Sequence, residues 1–229
     1  MASPFYVSPE QWYQDKAEYA RKGIARGKPI VALDYADGIV LLAENPSTSL
    51  RKISEIYDRI AFAGVGKFDE YENLRKAGVR YADLRGYSYC REDVAAKNLA
   101  NEYSTVLGGI FTREMKPFEV EVLVVEVGDS PDKSSMYKIL FDGAISDHSR
   151  FAAIGDQADD LIGVLRDDWR DGMDLPQAVK LGREALGRVS NGASELTESN
   201  LEIAVVDRNS EGRKFRRLPN EAVAGLLAE

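Results

Sequence analysis

The stretch EYARKGIARGKPIVALDYADGIVLLAEN, residues 18–45, passes from a charged helical pattern into two apolar strand patterns without a linker. The pair Asp37-Gly38 separates the apolar runs IVALDYA and GIVLLAE, and such a pair between hydrophobic runs is a strong hairpin signal. The stretch therefore predicts a helix that leads directly into a β-hairpin. A helix ahead of the first core hairpin must serve a purpose of its own.

This helix has clear end signals in the sequence. Ser8 can cap its first turn, Pro9 suits the first helical position, and Gln11 completes a Ser-x-x-Gln capping box. Gly27 is a typical helix end. Between these ends, apolar residues recur at helical spacing and form one narrow stripe. The pattern predicts a helix over residues 9–27.

The rest of the chain alternates between runs of strands and pairs of helices. Two strand patterns follow the hairpin, then two helices, three or four strands, two helices, two strands and a short helix. The run FEVEVLVVEV, residues 118–127, alternates so strictly that it predicts a strand with one acidic face. Strands in runs with tight turns indicate antiparallel sheets. We therefore expect an α+β fold, a four-layer αββα sandwich of two antiparallel sheets, each flanked by a helix pair. Those paired helices are predicted over residues 68–86, 91–112, 157–171 and 174–190.

Composition excludes several classes of protein. The 229 residues are 44% hydrophobic and 30% charged, which is typical of a globular domain. The net charge of −8 argues against a nucleic-acid-binding surface. No apolar run approaches the ~20 residues of a membrane span, and no signal-peptide pattern is visible. The single cysteine, Cys90, fits a cytoplasmic protein. One basic cluster is interpreted as a solvated strand face; it consists of Arg213, Lys214, Arg216 and Arg217.

Side chains that commonly carry catalysis are few. The single histidine, His148, lies between Asp147 and Ser149, but neighbours on one strand point to opposite faces and cannot form a catalytic triad. Three aspartates between residues 156 and 160 crowd a predicted helix N-terminus, where carboxylates are favourable without an ion. No zinc-ligand spacing occurs. We expect no metal site and no cofactor.

The segment AFAGVGKF, residues 61–68, contains Gly-x-Gly-Lys and invites comparison with a phosphate-binding loop. That motif needs an earlier glycine and a following Ser or Thr, and Ala61 and Phe68 stand at those positions. The pattern is better explained by a strand that runs into the N-terminus of a helix.

Several stretches together resemble one family. Helix, antiparallel strands, helix pair, strands and helix pair is the layout of the N-terminal nucleophile hydrolases. Within that layout, EYARKGIARG, GIVLLAENPS, LRKISEIYDRIAFAGVGKFDEYENLR and KPFEVEVLVVEV resemble the α-type subunits of the 20S proteasome core, closest to the actinobacterial type. The resemblance covers nearly the whole chain. It implies the sandwich fold with an added N-terminal helix.

The resemblance implies that this chain has no catalytic residues of its own. In the catalytic β-type relatives a processed threonine opens the first strand, and the matching position here is Lys28. Glu44 and Lys52 fall near the acidic residue and the lysine that accompany that threonine. Because no hydroxyl or thiol opens the strand, the chain lacks the nucleophile of such a site. The implied role is a structural and gating subunit of a threonine endopeptidase complex.

Three segments follow from the same resemblance. An N-terminal gate segment would converge on the axis of a ring, with Phe5, Tyr6 and Ser8 as gate residues. A helix contacting the ring would follow it, and one sandwich domain would complete the chain. The gate segment lacks the Tyr-Asp-Arg motif of archaeal and eukaryotic relatives, and a frayed terminus is the alternative. The three segments are residues 1–8, 9–27 and 28–229.

A docking site for a ring ATPase is implied by three further positions. Gly27, Lys52 and Lys67 match the pocket in which α-type subunits receive the C-terminal tail of an AAA+ ring ATPase. Lys67 stands where archaeal relatives usually have leucine. The alternative for both lysines is a solvated side chain. One exposed lysine–carboxylate pair contributes only about 1 kcal/mol, so tight docking would require several tails together.

The expected partners are β-type subunits, identical α-subunits in a seven-membered ring, the AAA+ ring ATPase and the unfolded protein substrates that the ring admits. No nucleic acid or membrane is expected. Two alternatives stay open. A free-standing hydrolase of the same fold would use Cys90, which precedes a predicted helix where a thiolate is favoured. A homo-oligomeric ring would lack β-type partners.

Overall fold

The structure is a computed structural model that describes residues 8–47, 49–189 and 196–228, with Ala228 described by its backbone alone. The predicted gate residues Phe5 and Tyr6 therefore lie outside the described residues. The described chain contains six α-helices: α1 Pro9–Ile24, α2 Phe68–Ser88, α3 Ala96–Arg113, α4 Ala158–Asp168, α5 Leu175–Val189 and α6 Asn220–Ala228. Its ten strands are β1 Ile30–Tyr35, β2 Gly38–Glu44, β3 Ile53–Tyr57, β4 Ile60–Gly66, β5 Val120–Glu126, β6 Ser135–Ile139, β7 Ile145–His148, β8 Phe151–Ile154, β9 Leu201–Asp207 and β10 Phe215–Arg217.

The strands form two five-stranded antiparallel sheets, with the orders β10-β9-β2-β1-β8 and β3-β4-β5-β6-β7. The predicted hairpin joins β1 to β2, and Tyr35 lies opposite Gly38 at its tight end. Helices α4 and α5 cover the first sheet, and α2 and α3 cover the second. The predicted four-layer αββα sandwich is confirmed. Four strands, β5 to β8, lie between the two helix pairs, where the sequence predicts three or four.

Strand β1 shows how the sandwich is filled. Ile30 and Ala32 point into the layer between the sheets, whereas Val31 and Leu33 point to the helix pair α4–α5. All four side chains are fully buried, because both faces of β1 are covered. Complete burial of one large aliphatic side chain contributes about 2 kcal/mol. By the same alternation the next position facing the second sheet is Asp34, a buried carboxylate.

Helix α1 begins where the sequence predicts. Ser8 caps it, because its Oγ accepts a hydrogen bond from Gln11 N at 3.1 Å. The Gln11 side chain donates to Asp15 Oδ1 at 2.8 Å, so it stabilises the next turn rather than reaching back to the cap. The first half of the predicted capping box is therefore present.

The helix ends at Ile24, three residues before the predicted end, because the chain then tightens into shorter turns. Gly27 N donates to Ile24 O at 2.8 Å. Gly27 also passes close to β4: a Cβ atom at this position would lie 2.8 Å from Val65 Cγ1 and 3.0 Å from Gly66 N. Glycine is needed here for a close approach to the second sheet rather than to end the helix.

One narrow face of α1 anchors it to the sandwich. Ala20 and Ile24 belong to the core between the sheets. The Lys16 side chain is buried as well, and its Nζ donates to Phe111 O and Glu114 O, both at 2.5 Å. These carbonyls lie at the end of α3, where a cation is favourable because the helix dipole is negative there.

The expectation of one acidic face on β5 is wrong. Leu123 interrupts the alternation, so the two acidic residues of the strand, Glu121 and Glu126, lie on opposite faces. Glu121 Oε2 accepts a hydrogen bond from Gly155 N at 2.9 Å, and Glu126 Oε1 pairs with Arg59 Nε at 2.7 Å. Each carboxylate joins β5 to a neighbouring element instead of facing solvent.

Candidate functional site

The start of β1 carries an ion pair. Lys28 lies two residues before the first residue of this strand, and Glu44 ends the neighbouring strand β2. Lys28 Nζ lies 3.0 Å from Glu44 Oε1, and the Glu44 side chain is only 5% exposed whereas that of Lys28 is 44% exposed. A buried carboxylate is thus compensated by a lysine whose outer part reaches solvent. We call the surroundings of this pair the lysine end of the sandwich.

Lys52 belongs to the same group. Its Nζ donates a hydrogen bond to Lys28 O at 2.7 Å, so the ammonium points inward along the start of β1. Burial lowers the pKa of Lys52 to about 8, although the charges of Glu44 and Glu202 oppose the shift. The interpretation of Lys52 as a solvated strand lysine is therefore wrong. Its ammonium is held inside the lysine end by geometry and is costly to keep charged.

A second buried carboxylate, Glu202 on β9, fixes the backbone around Lys52. Its oxygens accept hydrogen bonds from Asn45 Nδ2 at 2.6 Å, Lys52 N at 3.1 Å and Ile53 N at 3.4 Å. Arg217 Nε donates to it as well, at 3.3 Å. Because Asn45 follows β2 and Ile53 begins β3, Glu202 joins the two sheets at this end.

The basic cluster near the C-terminus is only partly the solvated face that we expected. Arg217 turns inward to Glu202, and Lys214 Nζ donates to Arg208 O at 2.7 Å. Arg213 is exposed and pairs with Glu55 at 2.6 Å. The strand β10 therefore uses its cations mainly to bind neighbouring segments of this chain.

Lys67 and Gly27 lie at the same end. Lys67 precedes α2, and its half-exposed ammonium lies 3.6 Å from Glu70 Oε1 and 3.7 Å from Asp69 Oδ2. Gly27 is adjacent to Gly66 through the close approach described above. The structure thus gathers all three predicted docking residues at the lysine end. It also gives Lys67 two acidic neighbours, which reduce the positive charge that it offers to a partner.

The lysine end offers no nucleophile of the kind that opens the strand in an N-terminal nucleophile hydrolase. Lys28 supplies an ammonium that is already paired, and its backbone nitrogen continues through Gly27 into the turn after α1. Such hydrolases use a free α-amine as the base for the side chain of the same residue. A lysine in peptide linkage provides neither the base nor the nucleophile.

A match to a known family agrees with this geometry. The family model described as "Proteasome subunit" matches residues 24–206 of this chain. The chain belongs to the proteasome subunit family. The match begins at the last residue of α1 and runs through both sheets as far as β9. The proteasome fold thus accounts for the sandwich and for the position of Lys28 at the start of its first strand.

Relatives named "Proteasome subunit alpha" match this chain over its full length. The protein of that name from Kineococcus radiotolerans is 53% identical, covering 100% of this chain and 99% of its own. The one from Frankia alni is 51% identical, covering 100% and 98%. The one from Streptomyces coelicolor is 53% identical, covering 99% and 91%. The similarity therefore includes α1, which the family model leaves largely unmatched.

Among the described residues, the others that the sequence drew attention to do not assemble into a catalytic or metal site. His148 ends β7, and its Nε2 lies 3.1 Å from Ser146 Oγ on the same strand. Among the described residues, no cluster of acidic, histidine and cysteine side chains is arranged to hold a metal. The Gly-x-Gly-Lys segment is the end of β4 running into α2, as predicted. No described helix is long and apolar enough to span a bilayer.

Cys90 differs from the expectation in two ways. It precedes a single 3₁₀ turn at Arg91–Asp93, and α3 begins only at Ala96, five residues later than predicted. The exposed thiol donates a hydrogen bond to Asp93 Oδ2 at 3.1 Å, and this bond raises the pKa of Cys90. The expectation of a favoured thiolate is wrong, because a neighbouring carboxylate opposes the negative charge on sulfur.

Two residues of the lysine end escaped the sequence analysis. The sequence marks Lys28 only as the position of a missing nucleophile, and it gives no prediction for Glu202. The available signal for Glu202 was an acidic residue at the second position of an otherwise apolar strand. Its partners Asn45 and Lys52 are 157 and 150 residues away in the chain, so spacing alone could not reveal them.

Proposed function

We propose that this chain is a non-catalytic α-type subunit of a 20S proteasome core. The observation that carries the proposal is the start of β1, where Lys28 pairs with Glu44 at 3.0 Å and its backbone runs on into the turn after α1. Peptide hydrolysis by this fold requires a terminal nucleophile at that place. The names of the relatives, which match along the whole chain including α1, support the same assignment.

The test is co-expression with a β-type subunit from the same source. We expect a closed particle of about 28 chains that cleaves peptides, because symmetric rings of identical subunits stack into one assembly. The chain alone should cleave no peptide. Its Lys28→Thr variant should be equally inactive, since the amine of residue 28 would still be acylated by Gly27. Peptide cleavage by the chain alone, with or without this substitution, would contradict the proposal.

In such a particle the chain would form the outer seven-membered rings, act as a template for the β-rings and control the passage of unfolded protein substrates. Helix α1 supports this role, because it is anchored on the sandwich by Lys16, Ala20 and Ile24 and presents its N-terminus outward. Ser8, the cap of α1, would be the residue that joins the gate segment to this helix. Deleting residues 1–7 should raise the rate of unfolded-protein cleavage by the assembled particle while peptide cleavage changes less. Equal rates with and without these residues would argue against a gate.

Docking of a ring ATPase is the finer part of the proposal. A carboxylate from the ATPase tail would approach Gly27, Lys52 and Lys67, with Lys52 turning away from Lys28 O to reach it. Because Lys52 is partly buried and Lys67 has acidic neighbours, each tail should bind weakly and several should be needed.

The docking site can be tested on the assembled particle with a short peptide that ends in a free carboxylate and with its C-terminal amide. Lys52→Ala should weaken binding of the carboxylate peptide about fivefold, as expected for loss of about 1 kcal/mol. Lys76→Ala, which removes an exposed lysine from α2, is the matched control. Equal binding of acid and amide peptides would contradict the role of Lys52.

A further inference from the structure

A cavity of about 470 Å³ lies at the end of β1 opposite to the lysine end. Both sheets form its walls: Asp34 comes from β1, Met136 from β6 and His148 from β7. The segments that close it contribute charged side chains, among them Asp132, Arg150 and Asp171. Its volume is in the range of small-molecule sites. We call it the distal cavity.

Asp34 is the unusual residue of the distal cavity. It is only 5% exposed, and within the described residues its Oδ1 has no hydrogen-bond donor. The nearest described cation is Arg208, whose Nη2 lies 3.6 Å from this oxygen, too far for a hydrogen bond. A buried carboxylate oxygen without a donor is unfavourable, because its lost hydration is not replaced. A ligand of the distal cavity should therefore donate a hydrogen bond to Asp34 rather than accept one.

The guanidinium of Arg208 donates hydrogen bonds to other groups, and it would have to break them to move closer to Asp34. Its Nη1 donates to Ala36 O at 2.6 Å, its Nε to Gly128 O at 3.3 Å and its Nη2 to Ser134 Oγ at 3.3 Å. These bonds hold the guanidinium beside Asp34 without completing its hydrogen bonding. Arg208 thus balances part of the charge of Asp34 without donating a hydrogen bond to its Oδ1.

The other charged groups around the cavity favour a cationic ligand. Arg150 Nη1 lies 3.1 Å from Asp171 Oδ1, and its Cζ lies 4.9 Å from the centre of the Trp169 ring. The charge of Arg150 is therefore compensated by Asp171. His148 is neutral at pH 7, because burial lowers its pKa. Asp132 is an exposed carboxylate at the rim. The cavity thus has one carboxylate at its inner end and another at its mouth, with an apolar side chain, Met136, on its wall.

We propose that the distal cavity binds a short aliphatic diamine in its doubly protonated form. One ammonium donates to Asp34 Oδ1, the methylene chain contacts Met136, and the second ammonium lies near Asp132 at the rim. Charge-assisted hydrogen bonds to carboxylates are about twice as strong as neutral ones, so both ends contribute to affinity. Burial raises the pKa of Asp34 to about 6, so this carboxylate is ionised at neutral pH and available to the ligand.

The test is calorimetric titration of the full chain at pH 7.5 with three probes of similar length. We expect 1,4-diaminobutane to bind, n-butylamine to bind about fivefold or more weakly because it lacks the second charge, and succinate not to bind. Failure of 1,4-diaminobutane to bind at about 10 mM, or binding of succinate, overturns the proposal. Tighter binding of a lysine derivative blocked at both backbone ends would assign the cavity to a protein side chain and also overturn it.

Variants locate the binding. Asp34→Asn should weaken diamine binding about tenfold or more, because the inner carboxylate charge is removed, and Asp132→Asn should weaken it a few-fold. Asp83→Asn, on the exposed face of α2, is the matched control and should bind as the parent does. Equal binding by the Asp34 variant overturns the proposal.

A measurement on the parent chain keeps the test valid should the Asp34 variant fail to fold. Diamine affinity should fall between pH 7 and pH 5, because Asp34 becomes protonated near pH 6. His148 also lines the cavity, and burial lowers its pKa, so its titration must be separated from that of Asp34. The other charged groups around the cavity are Asp132, Asp171, Arg150 and Arg208. The fall should persist in a His148→Gln variant; affinity independent of pH in that variant overturns the assignment to Asp34.

Discussion

A buried carboxylate lies near each end of β1, and its charge is compensated differently at the two ends. Lys28 and Asp34 are six positions apart, about 20 Å along an extended strand. At the lysine end, Glu44 has an ammonium at 3.0 Å, and Glu202 accepts four described hydrogen bonds. At the distal end, Asp34 has a guanidinium at 3.6 Å and a buried oxygen without a donor among the described residues.

The two ends thus differ in whether their buried carboxylates have hydrogen-bond donors within the described residues. Complete hydrogen bonding at the lysine end fixes the position that a nucleophile occupies in catalytic relatives of this fold. Incomplete hydrogen bonding at the distal end leaves a desolvated charge in place. Buried polar networks are rigid when fully satisfied and costly when partly satisfied. Removing a hydrogen-bonded carboxylate at the lysine end and the unsatisfied one at the distal end should therefore change stability in opposite directions.

The largest effect should come from Glu202→Ala at the lysine end. Removing this carboxylate leaves Arg217 and the Asn45 amide without their shared acceptor between the sheets, so the free energy of unfolding should fall by about 3–5 kcal/mol. Urea unfolding monitored by tryptophan fluorescence measures the change. The matched control Glu198→Ala, at an exposed position, should stay within about 0.5 kcal/mol of the parent. A loss as small as that of the control would show that the network does not stabilise the fold.

Replacing Lys52 should raise the free energy of unfolding near neutral pH, whereas Glu202→Ala lowers it. Its pKa is about 8 in the folded chain and near 10.5 when unfolded, so the unfolded chain binds more protons between these values and stability rises with pH across them. Lys52→Met removes the charged lysine and should stabilise the chain at pH 7 by about 2 kcal/mol, after the lost bond to Lys28 O is subtracted. The gain should shrink toward pH 10. Unfolding curves at the two pH values measure it, and a gain independent of pH would contradict the low pKa.

At the distal end, Asp34→Asn should stabilise the chain by about 1 kcal/mol at pH 7. Burial raises the pKa of Asp34 from 3.8 to about 6, so the folded chain binds more protons than the unfolded chain between these values, and stability falls as pH rises through them. Loss of the attraction to Arg208 offsets part of the gain. Thermal unfolding at pH 7 and pH 4 should show the gain only at pH 7. Destabilisation at pH 7 would mean that Arg208 satisfies this carboxylate despite the distance.

The smallest effect should come from an exposed pair. Arg213→Ala removes the ion pair with Glu55, in which the arginine side chain is 68% exposed, and should change stability by less than about 0.5 kcal/mol. The same urea unfolding measurement, repeated at high salt, checks it. A change above about 1 kcal/mol would show that β10 depends on its exposed cations as well as on Arg217.

The sequence predicted most of the fold because its signals are local. The hairpin at Asp37-Gly38, the cap at Ser8 and the alternating or helical apolar patterns each act within a few residues, and each appears in the structure near its predicted place. Boundaries were less accurate where a tight turn replaced a helical one, as after Ile24 and before Ala96. Hydrophobic periodicity does not distinguish an α-helix from a short 3₁₀ turn.

The site was only partly predictable, because its contacts join distant parts of the chain. Resemblance to a family identified Gly27, Lys52 and Lys67, but it did not reveal that Lys52 points inward or that Lys67 has acidic neighbours. Asp34 carried a local signal that was not used. It is the third residue in the alternating set Ile30, Ala32, Asp34, and a carboxylate in that series marks a charge that faces the second sheet.

The buried ammonium of Lys16 has a consequence for the order of folding during synthesis. Its two acceptors, Phe111 O and Glu114 O, follow it by 95 and 98 residues, so α1 cannot be fully seated until α3 has left the ribosome. At about 5–20 residues per second, that delay lasts roughly 5–20 s. During this time the apolar residues Ala20 and Ile24 of α1 lack the later strands that cover them in the folded chain.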